Sequence, residues 1–213
     1  MTLRTRATLI LALLTMLLTL MASTSMAGDQ FNLLTHEDHN NSFDTMNEHG
    51  FVFLDPWWTL KNKSGDKIDC SGKHVQAYSG DCSFRFKGTE AESSKLKQVL
   101  AGEDLEVLNA FVDDADVTLQ MGYMVNSLSD KTVLKAKAIA TLDDGTKVKA
   151  FADFSGTTMI GEFTSWESVK GASVTIPKNE VVTKVKVVIG NKSGKGSKAF
   201  IDNVEVLFAS TAS

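Results

Sequence analysis

The chain has 213 residues with 22 lysines and arginines against 26 aspartates and glutamates, a net charge of −4. A mildly acidic chain with few arginines argues against nucleic acid or an anionic membrane as partner. Its length suits one domain with an adequate core.

Arg4 and Arg6 open a positive segment, and Leu9 to Leu20 is an apolar run broken only by threonines. The run falls short of the ~20 residues of a spanning helix. Ser25-Met26-Ala27 supplies the small residues a signal peptidase reads, so residues 1–27 read as an export signal. The mature chain, with 20 basic residues against 26 acidic, is expected to be secreted, extracellular or periplasmic, and monomeric.

Residues 28–39 read as a flexible, solvated N-terminal arm, including His36-Glu37-Asp38-His39, which lacks the third ligand a metal site needs. After Asn40-Asn41-Ser42-Phe43-Asp44 comes Phe51 to Trp58, where Pro56 excludes a helix or central strand. Of Trp57 and Trp58, one is expected in the core and the other exposed as a platform. Lys61 to Asp69 is a charged loop running to Cys70.

Cys70 and Cys82, the two cysteines of the chain, are expected to pair in an oxidising compartment. Strict alternation then puts Phe84 and Phe86 on one face of a strand at Ser83–Lys87 and Arg85 on the other, which predicts a central, half-buried strand. Gly102-Glu103-Asp104 reads as a turn, and Leu105 to Val112 as a strand by length and apolar content. Val117 to Val125 alternates as another strand. Leu134–Leu142 and Thr146–Phe151 flank Asp143-Asp144-Gly145, a strong hairpin signal because Asp-Gly accepts positive φ. Four more strands follow at 163–169, 172–176, 181–189 and 199–208. The glycine-lysine stretch 190–198 fits no phosphate-binding pattern and reads as a flexible hairpin loop. Asn40, Asn62 and Asn191 each begin an Asn-x-Ser sequon. Many short strands, two prolines and no sustained helical period predict an all-β antiparallel β-sandwich.

Asn40-Asn41-Ser42-Phe43-Asp44, Ser79-Gly80 before an alternating strand, and Phe200-Ile201-Asp202-Asn203-Val204-Glu205-Val206 near the end together resemble galactose-binding-like jelly rolls, notably carbohydrate-binding modules of secreted proteins. The resemblance implies a jelly-roll domain over 40–209, with a tail at 210–213. It also implies a structural calcium ion held by Asp44, Asp202, the carbonyl of Asn41 or Ser42, and a carbonyl around Ser79-Gly80. Such oxygen donors suit calcium. A sugar site in this family combines aromatic platforms with planar polar partners. Trp58, Tyr78 and Tyr123 are the candidate platforms here, and Arg85 and Gln98 the polar partners.

The export signal and the resemblance together imply a secreted, non-catalytic module binding carbohydrate or another cell-surface ligand. An envelope interaction protein without a sugar site is the alternative, and a hydrolase a more distant one. A glycosidase needs two converging carboxylates, whereas Asp113, Asp114, Asp116, Asp143 and Asp144 fall in turns, where such residues cap and solvate.

Overall fold

The computed structural model describes residues 30–35, 42–44, 58–61, 65–73, 75–88, 93–158 and 165–211. The expected export signal at 1–27, the His36–His39 stretch, Asn40, Asn41, Pro56, Trp57 and the Asn62 sequon lie outside them.

In chain order the strands are β1 (Gln30–Asn32), β2 (Thr59–Lys61), β3 (Lys67–Asp69), β4 (Ser83–Lys87), β5 (Lys95–Ala101), β6 (Val117–Ser127), β7 (Val133–Leu142), β8 (Lys147–Ser155), β9 (Glu167–Lys170), β10 (Val174–Ile176), β11 (Val182–Asn191) and β12 (Lys198–Ser210). They form two antiparallel sheets. One runs β10-β6-β12-β4-β3, with β1 also pairing β12 and β9 pairing β6; the other runs β2-β5-β11-β7-β8. The predicted antiparallel sandwich is what the chain forms.

Alternation explains most of it. Leu134, Ala136, Ala138, Ala140 and Leu142 of β7 turn inward with Ala150 and Ala152 of β8, while the other sheet contributes Phe84, Phe86, Tyr123 and Phe208. Small inward residues on one sheet leave room for aromatic ones on the other, which is how a two-layer core reaches close packing. Phe84 and Phe86 are fully buried as predicted, their rings edge-on at 4.9 Å. Strand β4 is paired on both sides, but the axis of its sheet is β12, which lies between β6 and β4. The Cys70–Cys82 disulfide is present. The β7–β8 hairpin closes as expected, with Gly145 at φ 86°.

Four expectations need correction. Residues 105–112 are not a strand: a short 3-10 turn (Gly102–Leu105) leads into α1 (Glu106–Asp114). Leu105, Leu108 and Val112 turn inward at a spacing of three and four, the helical period. Asn109 fixes this helix to β11 by exchanging two hydrogen bonds with the Val182 backbone. Gln30–Asn32 is no free arm either, since it adds a strand to β12 and buries Leu33 and Leu34.

The 190–198 stretch is neither a hairpin loop nor loose. It crosses from β11 in one sheet to β12 in the other, and Gly88 N–H donates to Ser197 O, Gly194 N–H to Lys131 O and Asn191 Nδ2 to Lys87 O. Asn191 is therefore buried and no acceptor for a glycan. Lastly, Lys61 and residues 67–69 are strand rather than charged loop.

Candidate functional site

Four tripeptides share one pattern: Lys95-Leu96-Lys97 in β5, Lys135-Ala136-Lys137 in β7, Lys147-Val148-Lys149 in β8 and Lys184-Val185-Lys186 in β11. A period of two sends both lysines of each outward and the residue between them to the core. Because β5, β11, β7 and β8 are successive neighbours, all eight lysines share the outer face of the five-stranded sheet. Lys61 of β2 joins them, directly opposite Lys95.

A groove of about 490 Å³ lies on this face. Its floor is Gly190 and Val188 of β11, and the missing Gly190 side chain deepens it. Lys95 stands on one side, with Lys135, Lys137 and Phe151 on the other. Register fixes the walls: Gly190 lies between Lys95 and Lys135, and Val188 between Lys97 and Lys137. Phe151, opposite Lys137, keeps 52 % of its surface exposed. The one carboxylate in the lining, Asp153, accepts from Lys135 Nζ at 2.8 Å. Burial, and then the charges of Lys97, Lys137, Lys61 and Lys95, hold the Lys186 ammonium below its usual pKa.

A second cluster sits at the loop 78–82. Asp202 pairs with Met124 on the face of β12 opposite core-facing Ile201, a β-bulge with Asn203 at φ 42° follows it, and it is fully buried. Its Oδ2 accepts the N–H groups of Tyr78 and Ser79, each at 2.9 Å, and its Oδ1 accepts that of Asn203. From the other side Asp44 Oδ1 accepts from Asp81 and Cys82. The loop thus runs between two carboxylates. Gly80, at φ 61°, is required there, since a Cβ on it would fall on the Asp44 carboxylate. Burial, opposed by the Ser79 and Asn203 N–H groups and reinforced by the Asp44 charge, pushes the Asp202 carboxyl up to about 7.

The predicted sugar-binding residues do not converge. Trp58 is buried against Phe43, ring centroids 5.7 Å apart, so it is core and no platform. Tyr123 and Gln98 also point inward. Burial, then the Asp153 and Glu167 charges, push the Tyr123 phenol well above its usual pKa. Arg85 lies outward on the other sheet and pairs with Asp69 at 3.4 Å. Burial opposes ionisation of Asp69, but hydrogen bonds from Ser71 and the Lys67 and Arg85 charges outweigh it. Only Tyr78 is exposed, at 50 %, edge-on to Trp166 beside the 78–82 loop. Of the turn carboxylates, Asp116 accepts Lys178 N–H, and Asp143 and Asp144 accept the amides of their own turn, the expected capping role. The groove residues were missed although the repeated Lys-x-Lys is plain in the sequence.

Among solved structures, the family 61 carbohydrate-binding module TmCBM61, in complex with β-1,4-galactotriose, is similar at a TM-score of 0.50 and 17% identity, covering 83% of this chain and 97% of that one. The fold is a jelly-roll β-sandwich. A cyclase from Fischerella sp. TAU shares this jelly roll at a TM-score of 0.51 and 12% identity, with 82% of this chain and 96% of that one covered. The jelly roll therefore carries both binding and catalytic proteins, and the fold alone does not select between them. No protein-family model matches the chain, and no curated protein does.

Proposed function

We propose that this chain is an exported, non-catalytic jelly-roll module that binds carbohydrate in the groove of its five-stranded sheet. The observation carrying this reading is the groove itself, where a half-exposed Phe151 ring stands among polar side chains over a glycine floor. A sugar offers an apolar face to a ring and hydroxyls to donors around it. The disulfide suits an oxidising compartment. A glycosidase needs a pair of carboxylates, and among the described residues that line this groove Asp153 stands alone, engaged by Lys135. The test is a glycan array probed with the mature chain and with Phe151→Ala. Phe151→Ala should weaken retained glycans about tenfold, some 1.4 kcal/mol. Unchanged binding by the variant would place the sugar elsewhere.

Calcium belongs to this proposal as a stabilising ion at the 78–82 loop. Asp44 and Asp202 would hold it, with main-chain carbonyls of Ser79 and of Asn41 or Ser42 as further oxygen donors. Two observations support the fit: both carboxylates face the same loop, and the Asp44 charge disfavours ionisation of buried Asp202. A divalent ion supplies the positive charge that would relieve this repulsion.

A further inference from the structure

Among the described residues, the outer face of the five-stranded sheet carries four Lys-x-Lys pairs and Lys61, nine lysines, against the single carboxylate of Asp153. This charge of about +8 belongs to a chain whose total is −4, leaving about −12 for the rest of it. The segregation is costly to the fold. Lys61 and Lys95 face each other directly across β2 and β5, and like charges so placed are destabilising. An ordinary solvated face intersperses both signs. This one does not.

We infer that the groove is built for a linear acidic polysaccharide, whose carboxylate or sulfate groups meet the lysines while one sugar face rests on Phe151. The inference rests on the glycan-binding reading above and names its ligand class. Strands lie about 4.8 Å apart, so Lys95 and Lys135 straddle Gly190, and Lys97 and Lys137 straddle Val188, with about 10 Å between their backbones. The walls thus present paired ammonium groups along β11, and Lys192 and Lys186 add one more at either end of the floor. An extended chain laid along β11 offers its charges to both walls. The Lys186 ammonium, disfavoured by burial and then by its four lysine neighbours, gains a counterion there.

Other polyanions fit less well. A single-strand nucleic-acid site stacks successive bases on several rings, and the groove has one. Its cations are all lysine, without the arginine forks that grip phosphates in pairs. The negative remainder of the chain repels an extended duplex or an anionic membrane as either spreads beyond the groove.

The test is calorimetric titration of the mature chain with polygalacturonate and dextran sulfate, each against its neutral counterpart, methyl-esterified polygalacturonate and dextran. An acidic polymer should bind at least about tenfold more tightly than its neutral partner and lose that margin in concentrated salt, which screens exposed charge. Replacing Lys95, Lys137 and Lys186 by Gln should abolish the margin. The same change at Lys67, Lys87 and Lys198, on the other sheet, should keep it. Removing mutually repelling lysines does not threaten the fold, so loss of binding reads on the site.

Equal binding of charged and neutral polymers overturns this inference and leaves the glycan reading standing. No binding of any of the four overturns both. Tighter binding of duplex DNA or of phosphatidylglycerol vesicles assigns the lysines to another partner, and equal loss in both triple variants reduces the effect to overall charge. Either result also overturns the inference.

Discussion

Held in chelator, the protein should lose about 4 kcal/mol of stability as pH rises from about 4 to about 7. The group responsible is Asp202, fully buried with its carboxyl pushed up to about 7 by burial first and by the Asp44 charge as well. The unfolded chain releases this proton near the ordinary aspartate value of ~3.9, whereas the folded chain keeps it until about 7. The contribution is therefore complete below the unfolded value, drains away across the interval, and is gone above 7. Urea melts in EDTA across this range measure it. Asp202→Asn should flatten the profile, because the amide does not ionise. Calcium should act in the opposite sense, since it binds the ionised pair. Millimolar calcium should raise the midpoint most above pH 7, by ~2.7 kcal/mol at a hundredfold excess over its dissociation constant. A flat wild-type profile in chelator would remove Asp202 as the source, and no calcium effect above pH 7 would remove the metal.

Reducing the Cys70–Cys82 bridge should cost 2–5 kcal/mol, in the range for a native disulfide in an exported domain. The closed loop holds more than its two ends. Tyr78, Ser79, Asp81 and Cys82, whose N–H groups donate to Asp202 and Asp44, lie at its C-terminal end. Opening the bridge frees these donors to drift, and buried Asp202 and half-buried Asp44 then lose their partners together. The Cys70→Ser, Cys82→Ser protein should therefore be less sensitive to Asp202→Asn than the wild type, a coupling that a double-mutant cycle reads directly. Additive effects would mean that the bridge and the carboxylates act independently.

Strand alternation made most of the sandwich legible, because a half-buried strand writes its inward face into every second residue. It failed at residues 105–112, where Leu105, Val107, Leu108, Phe111 and Val112 fill enough positions to suit either period. The structure decides by leaving Val107 exposed and turning Leu105, Leu108 and Val112 to the core. It also failed at Gln30–Asn32, three residues that carry no period of their own and are ordered by pairing with β12. The aromatic residues misled for a different reason. A ring is as useful to a core as to a sugar, and Trp58 and Tyr123 went to the core. The Lys-x-Lys pairs were plain in the sequence, three of them as outward positions on expected strands. That these strands lie side by side follows from long-range pairing of β11 with both β5 and β7, which no local pattern encodes. Asp44 and Asp202, marked by resemblance, do meet one loop, but the β12 bulge that follows Asp202 was not readable from the sequence.

The most direct test of the glycan-binding face is an amide NMR titration of the mature chain with tetragalacturonate. Saturable shifts should concentrate at Val188, Gly190, Lys137 and Phe151, with Tyr78 and Trp166 at the 78–82 loop unmoved. Shifts centred on Tyr78 and Trp166, or no saturable change at the floor of the groove, would contradict it.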